Sequence, residues 1–247
     1  MKKLITFIIL ISSLTNSFCQ QNSVFEIEEI LIKRKFDKTK IENDTDKRKV
    51  LFEDEKYIIK GTCMGEWGGT TWFENKKTGK IYSCQSTCPK SVNKIENKYI
   101  ITNSLAHMSG YSEIIEVDNP ENLEIFEKPK PRKDKNGNSM YYAGDFESKS
   151  RKGITVLWNK DEILTLVSFL YKNLLYHIMT FDNATYLTKI KKGKIIIIDK
   201  VSEKRIWSHH IGKRISKNHT ILYLGRKTEK SQYLEIENNK LKLVRNK

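Results

Sequence analysis

A strand–loop–strand pattern recurring about every 40 residues is the feature that most restricts what this chain can fold into. Five segments share it. Each has an aromatic or β-branched run, a polar or glycine-rich loop, a second apolar run, and then an acid or Asn. The paired runs are Tyr57–Cys63 with Thr70–Phe73, Tyr99–Leu105 with Tyr111–Val117, and Tyr141–Phe146 with Ile154–Trp158. They continue with Tyr186–Ile190 and Ile195–Ile198, then Thr220–Leu224 and Gln232–Ile236. The closing residues Glu74, Asp118, Asn159, Asp199 and Glu237 stand 44, 41, 40 and 38 residues apart. One small sheet cannot bury both faces, and stacking such sheets around an axis buries them against one another. The pattern therefore predicts an all-β, propeller-like array of about five small antiparallel sheets over 57–247. A sandwich or barrel is the alternative all-β solution.

Two stretches fit that frame less simply. Ile163, Val167, Leu170 and Leu174 lie at helical spacing behind Asp161 and Glu162, which predicts a short helix near 161–176. The same stretch also alternates and is rich in strand formers. Residues 128–152, with Pro129, Pro131 and Asn136-Gly137, read as a long surface loop. Residues 20–56 read as an N-terminal extension or a closing strand, with Val50–Phe52 the candidate.

The N-terminus predicts export. Lys2 and Lys3 precede the apolar run Leu4–Leu10, followed by small and polar residues up to Cys19, the pattern of a cleaved signal peptide over 1–19. That run is far shorter than the roughly 20 residues of a membrane-spanning helix. Phe18 stands where a lipidation motif needs a small residue, so a lipoprotein is disfavoured. Cleavage would leave 228 residues (247 − 19) and lower the net charge from +15 to about +13. The expected location is secreted or periplasmic. There, the remaining Cys63, Cys84 and Cys88 predict one disulfide and one leftover thiol. We favour Cys63 with Cys88, because that bond ties the glycine-rich loop to the next connection.

In the stretch "GTCMGEWGG" (61–69), Trp67 and Glu66 sit among glycines. If the paired runs are equivalent blades, their central loops share one rim. That rim would carry Glu66, Trp67, His107, Arg151, Lys152, Lys191, Lys192 and Arg226. Such a basic face with an aromatic platform suits an acidic glycan or an acidic protein surface. Hairpin tips are polar in any protein, and Trp67 reads equally as a lid folded over its own strand. Trp72, Trp158 and Trp207 fall within alternating runs and read as core.

No cofactor or metal site is expected. The neighbours His209 and His210 point to opposite faces of a strand, and the other histidines lack partners at ligand spacing. No nucleophile motif, phosphate loop or zinc-protease signature occurs, so binding is favoured over catalysis. A hydrolytic enzyme using acids of the same face, carbohydrate-active or otherwise, is the first alternative. A structural or host-interaction protein is the second. Export and the lack of a recognised motif argue against nucleic acid despite the positive charge. The stretches "GTCMGEWGG", "IYSCQSTCP" and "KYIITNSLAHMSGYSEIIEVDNP" resemble secreted β-rich proteins of Bacteroidetes-type bacteria that have no assigned activity. The resemblance covers residues 57–120 and implies export from a bacterial cell. It supplies no catalytic residues.

Overall fold

The computed structural model describes residues 24–33, 49–107, 109–142, 144–224 and 231–247. The signal peptide predicted over 1–19 lies outside them, as does Arg226. The described residues form an all-β molecule of several sheets, with two single turns of 3-10 helix and no α-helix. The N-terminal strand is β1 (Glu26–Ile32). The first sheet is built from β2 (Lys49–Glu53), β3 (Tyr57–Gly61), β4 (Thr70–Asn75) and β5 (Ile81–Gln85). Next come β6 (Pro89–Ile95), β7 (Lys98–Leu105) and β8 (Tyr111–Val117), a second meander. The chain then returns through β9 (Glu124–Ile125), which pairs with β5. It makes a small hairpin, β10 (Arg132–Lys133) with β11 (Ser139–Met140). β12 (Thr155–Asp161) then joins the second sheet on β8. The third sheet is β13 (Leu164–Tyr171), β14 (Leu174–Phe181), β15 (Ala184–Lys191) and β16 (Lys194–Ser202). The fourth is β17 (Lys213–Ser216), β18 (His219–Tyr223), β19 (Tyr233–Glu237) and β20 (Lys240–Asn246). β1 adds to β20 in parallel, joining the described N-terminal end to the C-terminal sheet.

Two sequence expectations are corrected. The third of the five segments is not a unit of its own. The described residues of 141–146 carry turns and no strand, and Thr155–Trp158 belongs to β12, the outer strand of the second sheet. The predicted helix over 161–176 is instead β13 and the start of β14. Turn chemistry decides it. Lys172-Asn173, Asp182-Asn183 and Lys192-Gly193 each hold two consecutive residues at positive φ, between 47° and 72°. That is the conformation of a two-residue hairpin whose twist matches its strands. These pairs recur every ten residues and so cut the segment into strands of eight. β13 is buried on both faces along most of its length, which explains why its apolar residues run together and mimic helical spacing.

Three clusters of buried residues fill the spaces between neighbouring sheets. Ile59, Phe73, Tyr99 and Ile115 join the first and second sheets. Ile100, Ile114, Trp158 and Met179 join the second and third. Leu166, Ile178, Leu187, Leu222 and Leu243 join the third and fourth. The seams repeat a polar clasp. Ser112 Oγ on β8 accepts the Thr165 N–H at 2.7 Å and donates to the Ile163 carbonyl at 2.9 Å. Thr185 Oγ1 on β15 accepts the Ile206 N–H at 3.1 Å and donates to the Lys204 carbonyl at 2.9 Å. In both, a hydroxyl on a sheet's third strand grips the chain as it leaves for the next sheet. The first and fourth sheets also touch, through the Arg214 guanidinium 5.1 Å from the centre of the Phe52 ring.

Candidate binding site beside the disulfide

The loop after β3 shows what its glycines are for. Gly68 sits at φ 97°, where a side chain is strained but space is open. Gly69 has the opposite constraint. A Cβ there would lie 2.5 Å from the Thr62 carbonyl oxygen and 2.7 Å from that of Ser86. The loop is pinned at its base by Thr62 N–H to the Thr70 carbonyl (3.0 Å) and closed by Met64 N–H to the Gly68 carbonyl (2.9 Å). Gly65–Trp67 make one 3-10 turn above it. Cys63 and Cys88 are joined in a disulfide, as expected from the sequence. Cys84 is the buried thiol, pushed up to about 12 by burial, with Arg151 opposing and Glu113 reinforcing the effect.

Trp67 is 76% exposed, so it does not fold back as a lid. Its neighbour Glu66 reaches across to the β7–β8 loop, where Glu66 Oε1 lies 2.9 Å from His107 Nδ1. Behind this rim is a cavity of about 290 Å³. Its walls include the two disulfide cysteines, the basic residues Lys49, Lys90, His107 and His209, and the apolar Pro89, Leu105 and Ile211. Lys90 is buried, and its ammonium donates to the carbonyls of Ser208 (3.2 Å) and His210 (3.5 Å). That contact fixes the linker between the third and fourth sheets against the second. Trp207, expected in the core, is 42% exposed on this linker, and its ring meets that of His209 at 5.0 Å. The linker is no strand at this point, so alternation does not carry Trp207 inward.

No family model, curated protein or solved structure matches the chain. The site is therefore read from its own geometry. Glu66, Trp67 and His107 come together, and the other described residues of the expected rim lie elsewhere. Arg151 pairs with the buried Glu113 carboxylate at 2.7 Å. That carboxylate continues inward as a chain through Asn103, Ser86 and Thr71. Lys152 lines a separate groove of about 930 Å³, where Glu121, Glu124, Glu127, Asp145 and Glu147 gather. Lys191 and Lys192 sit at the β15–β16 turn. The clasp at Ser112 and the Glu162 N–H to Gly110 carbonyl bond (2.9 Å) place the β7–β8 loop beside the start of β13. That is the end of the third sheet at which β14 turns into β15, because Leu164 pairs with Thr180. The β15–β16 turn is one strand length away, at the opposite end. Among the described residues no group of three metal-type side chains is found, and no helix is long and apolar enough to cross a membrane.

Lys49, Lys90, Trp207 and His209 carry no signal of this site in the sequence. Their convergence depends on contacts between sheets that no local pattern records. The one available hint is the pair His209-His210, which periodicity alone places on a regular strand.

Proposed function

We propose that this chain is an exported binding protein whose sheets stand in a propeller-like array and whose cavity beside the Cys63–Cys88 disulfide captures an acidic glycan. The array is supported by four successive meanders, by the repeated hydroxyl clasp, and by the return of Arg214 to Phe52. One observation carries the binding reading. Four basic side chains from three parts of the chain converge on one cavity whose lining, among the described residues, includes no Asp or Glu, beside an exposed Trp. Cations attract the ligand over a distance, and an indole offers the apolar face on which a sugar ring rests. A concave site with a few convergent polar groups suits a small unit such as a sugar. An acidic protein surface would sit better on an open basic face, and the described residues among those expected to form one do not share it. Hydrolysis by a carboxylate pair has no support here, since Glu66 is engaged with His107 and no second acid is among the described residues that line the cavity.

The test is binding of the mature protein to uronic-acid and neutral oligosaccharides, with Trp67→Ala and Lys90→Met variants. Acidic ligands should bind in preference, weaken with salt, and lose about tenfold or more in either variant. Equal binding of neutral and acidic sugars, or no binding of either, would refute the proposal.

A further inference from the structure

We infer that Trp207 forms a second platform, so that the site takes a chain of at least two sugar units, with the acidic unit in the cavity and its neighbour over the Trp207 ring. This rests on the reading of the cavity as an acidic-glycan site and adds the length and direction of the ligand. The cavity, at about 290 Å³, is at the small end of ligand pockets and holds little more than one sugar-sized unit. Whatever is attached to that unit must leave across the rim.

The distribution of tryptophan marks where it leaves. The chain has four. Trp72 and Trp158 are 1% and 7% exposed, while Trp67 and Trp207 are 76% and 42% exposed. Both exposed tryptophans stand beside residues that line this one cavity. Trp67 is two residues beyond the lining Gly65, and the Trp207 ring meets that of the lining His209 in a T-shaped pair, at an interplanar angle of 72°. The exposed part of the indole is the surface offered to a ligand. The segment is also pre-set. Ile206 N–H is held by Thr185 Oγ1 at 3.1 Å, Ser208 Oγ donates to the Tyr223 carbonyl at 2.6 Å, and Lys90 binds the Ser208 carbonyl. Trp207 is thus bracketed by anchored neighbours, which lowers the ordering cost of using it. The bland alternative is a tryptophan shed to the surface for lack of room in the core. That would not require it to touch the wall of the same cavity that Trp67 flanks.

The experiment measures the affinity of the mature protein for galacturonic and glucuronic acid and for their oligomers of two to four units. Wild type and the Trp207→Ala and Trp207→Phe variants are compared by calorimetry. The dimer should bind wild type at least tenfold tighter than the monomer. Trp207→Ala should erase that gain while leaving monomer affinity within about twofold, and Trp207→Phe should restore part of it. A dimer no tighter than the monomer, or a Trp207→Ala variant that weakens monomer and dimer alike, would overturn the second platform and leave the acidic cavity standing. Failure of every acidic sugar to bind any variant would overturn the cavity reading and this inference together. Because Trp207 is exposed, the Ala variant should keep the wild-type unfolding midpoint, which serves as the folding control.

Discussion

Lowering the pH from 7 to 4 should cost this fold about 3 kcal/mol through a single side chain, His177. The ring is 2% exposed on β14, and its Nδ1 lies 2.7 Å from Ser168 Oγ on β13. Ser168 in turn accepts the Thr102 hydroxyl from the second sheet at 2.8 Å, which leaves its own proton available to the Nδ1 of a neutral ring. Burial holds the pKa down, from 6.5 to about 4. The sign is fixed by which state takes the proton. Below pH 6.5 the unfolded chain takes up a proton that the native state refuses, so stability falls as pH falls. Below about 4 both states are protonated and the loss levels off. A span of about 2.5 pH units at 1.36 kcal/mol each gives the quoted magnitude. The assay is urea unfolding of the disulfide-intact protein at pH 7, 6, 5 and 4, with His177→Asn as the comparison. Asn keeps a polar group near the Ser168 hydroxyl but does not titrate. The variant should start about 1–3 kcal/mol lower, from lost volume, and stay flat over this window. An equal slope in both proteins, or a wild-type loss under 1 kcal/mol, would refute the reasoning.

Asp54 acts in a lower window. Burial raises its carboxyl, but hydrogen bonds from Lys94, Tyr99 and the backbone of Tyr57 and Lys56 together outweigh this and hold it at about 2, against 3.8 ordinarily. Its contribution is present above pH 3.8 and lost as pH falls toward 2. Asp54→Asn should therefore cost about 1–2 kcal/mol at pH 7, after allowing for solvent screening, and nearly nothing near pH 2 in the same unfolding assay. The glycines of the candidate loop should separate by mechanism. Gly69→Ala drives a Cβ into backbone oxygens and should cost about 3 kcal/mol, whereas Gly68→Ala meets open space and should cost about 1–2 kcal/mol in backbone strain alone. Replacing both Cys63 and Cys88 by Ala opens a loop closed over 25 residues and should lower stability by about 3–4 kcal/mol. Thermal melting would read this as a midpoint shift. Arg151→Met leaves the 4%-exposed Glu113 without its cation and should cost about 2–3 kcal/mol, measured by urea unfolding at pH 7.

The sheets are legible in the sequence where a hairpin carries its own signal. Tyr57–Phe73 and Tyr99–Val117 alternate, carry turn residues and fold as expected. The failures have physical causes. Tyr141–Phe146 is rich in aromatics, but its described residues turn, and the following run joins a sheet formed forty residues earlier. Long-range pairing of that kind leaves no mark on local periodicity. β13 looks helical because burial on both faces lets its apolar residues run together, and the positive-φ pairs on either side of β14 decide between the helical spacing and the competing alternation. The return of β9 to β5 and the parallel docking of β1 on β20 are likewise invisible, because both join segments distant in sequence.

The candidate site sharpens the same point. The expected rim requires that the loop between two middle strands recur at equivalent places. Glu66 and His107 meet because both lie between the second and third strands of their sheets. Lys191 and Lys192 do not join them, because their hairpin links the third strand to the fourth and points to the other end. Counting strands from the start of each sheet, the true counterpart of the His107 loop in the third sheet is the two-residue turn Asp182-Asn183. That turn is two residues long, shorter than the corresponding loops of the first two sheets, and it does not line the cavity. Apart from His107, the basic side chains of the site come from strand ends and a linker, namely Lys49, Lys90 and His209. A cavity whose wall is built from strand ends, a disulfide and an anchored linker, with the β3–β4 and β7–β8 loops at its rim, favours a ligand of fixed shape over an adaptable surface. That is a further reason to test sugars of defined length before proteins.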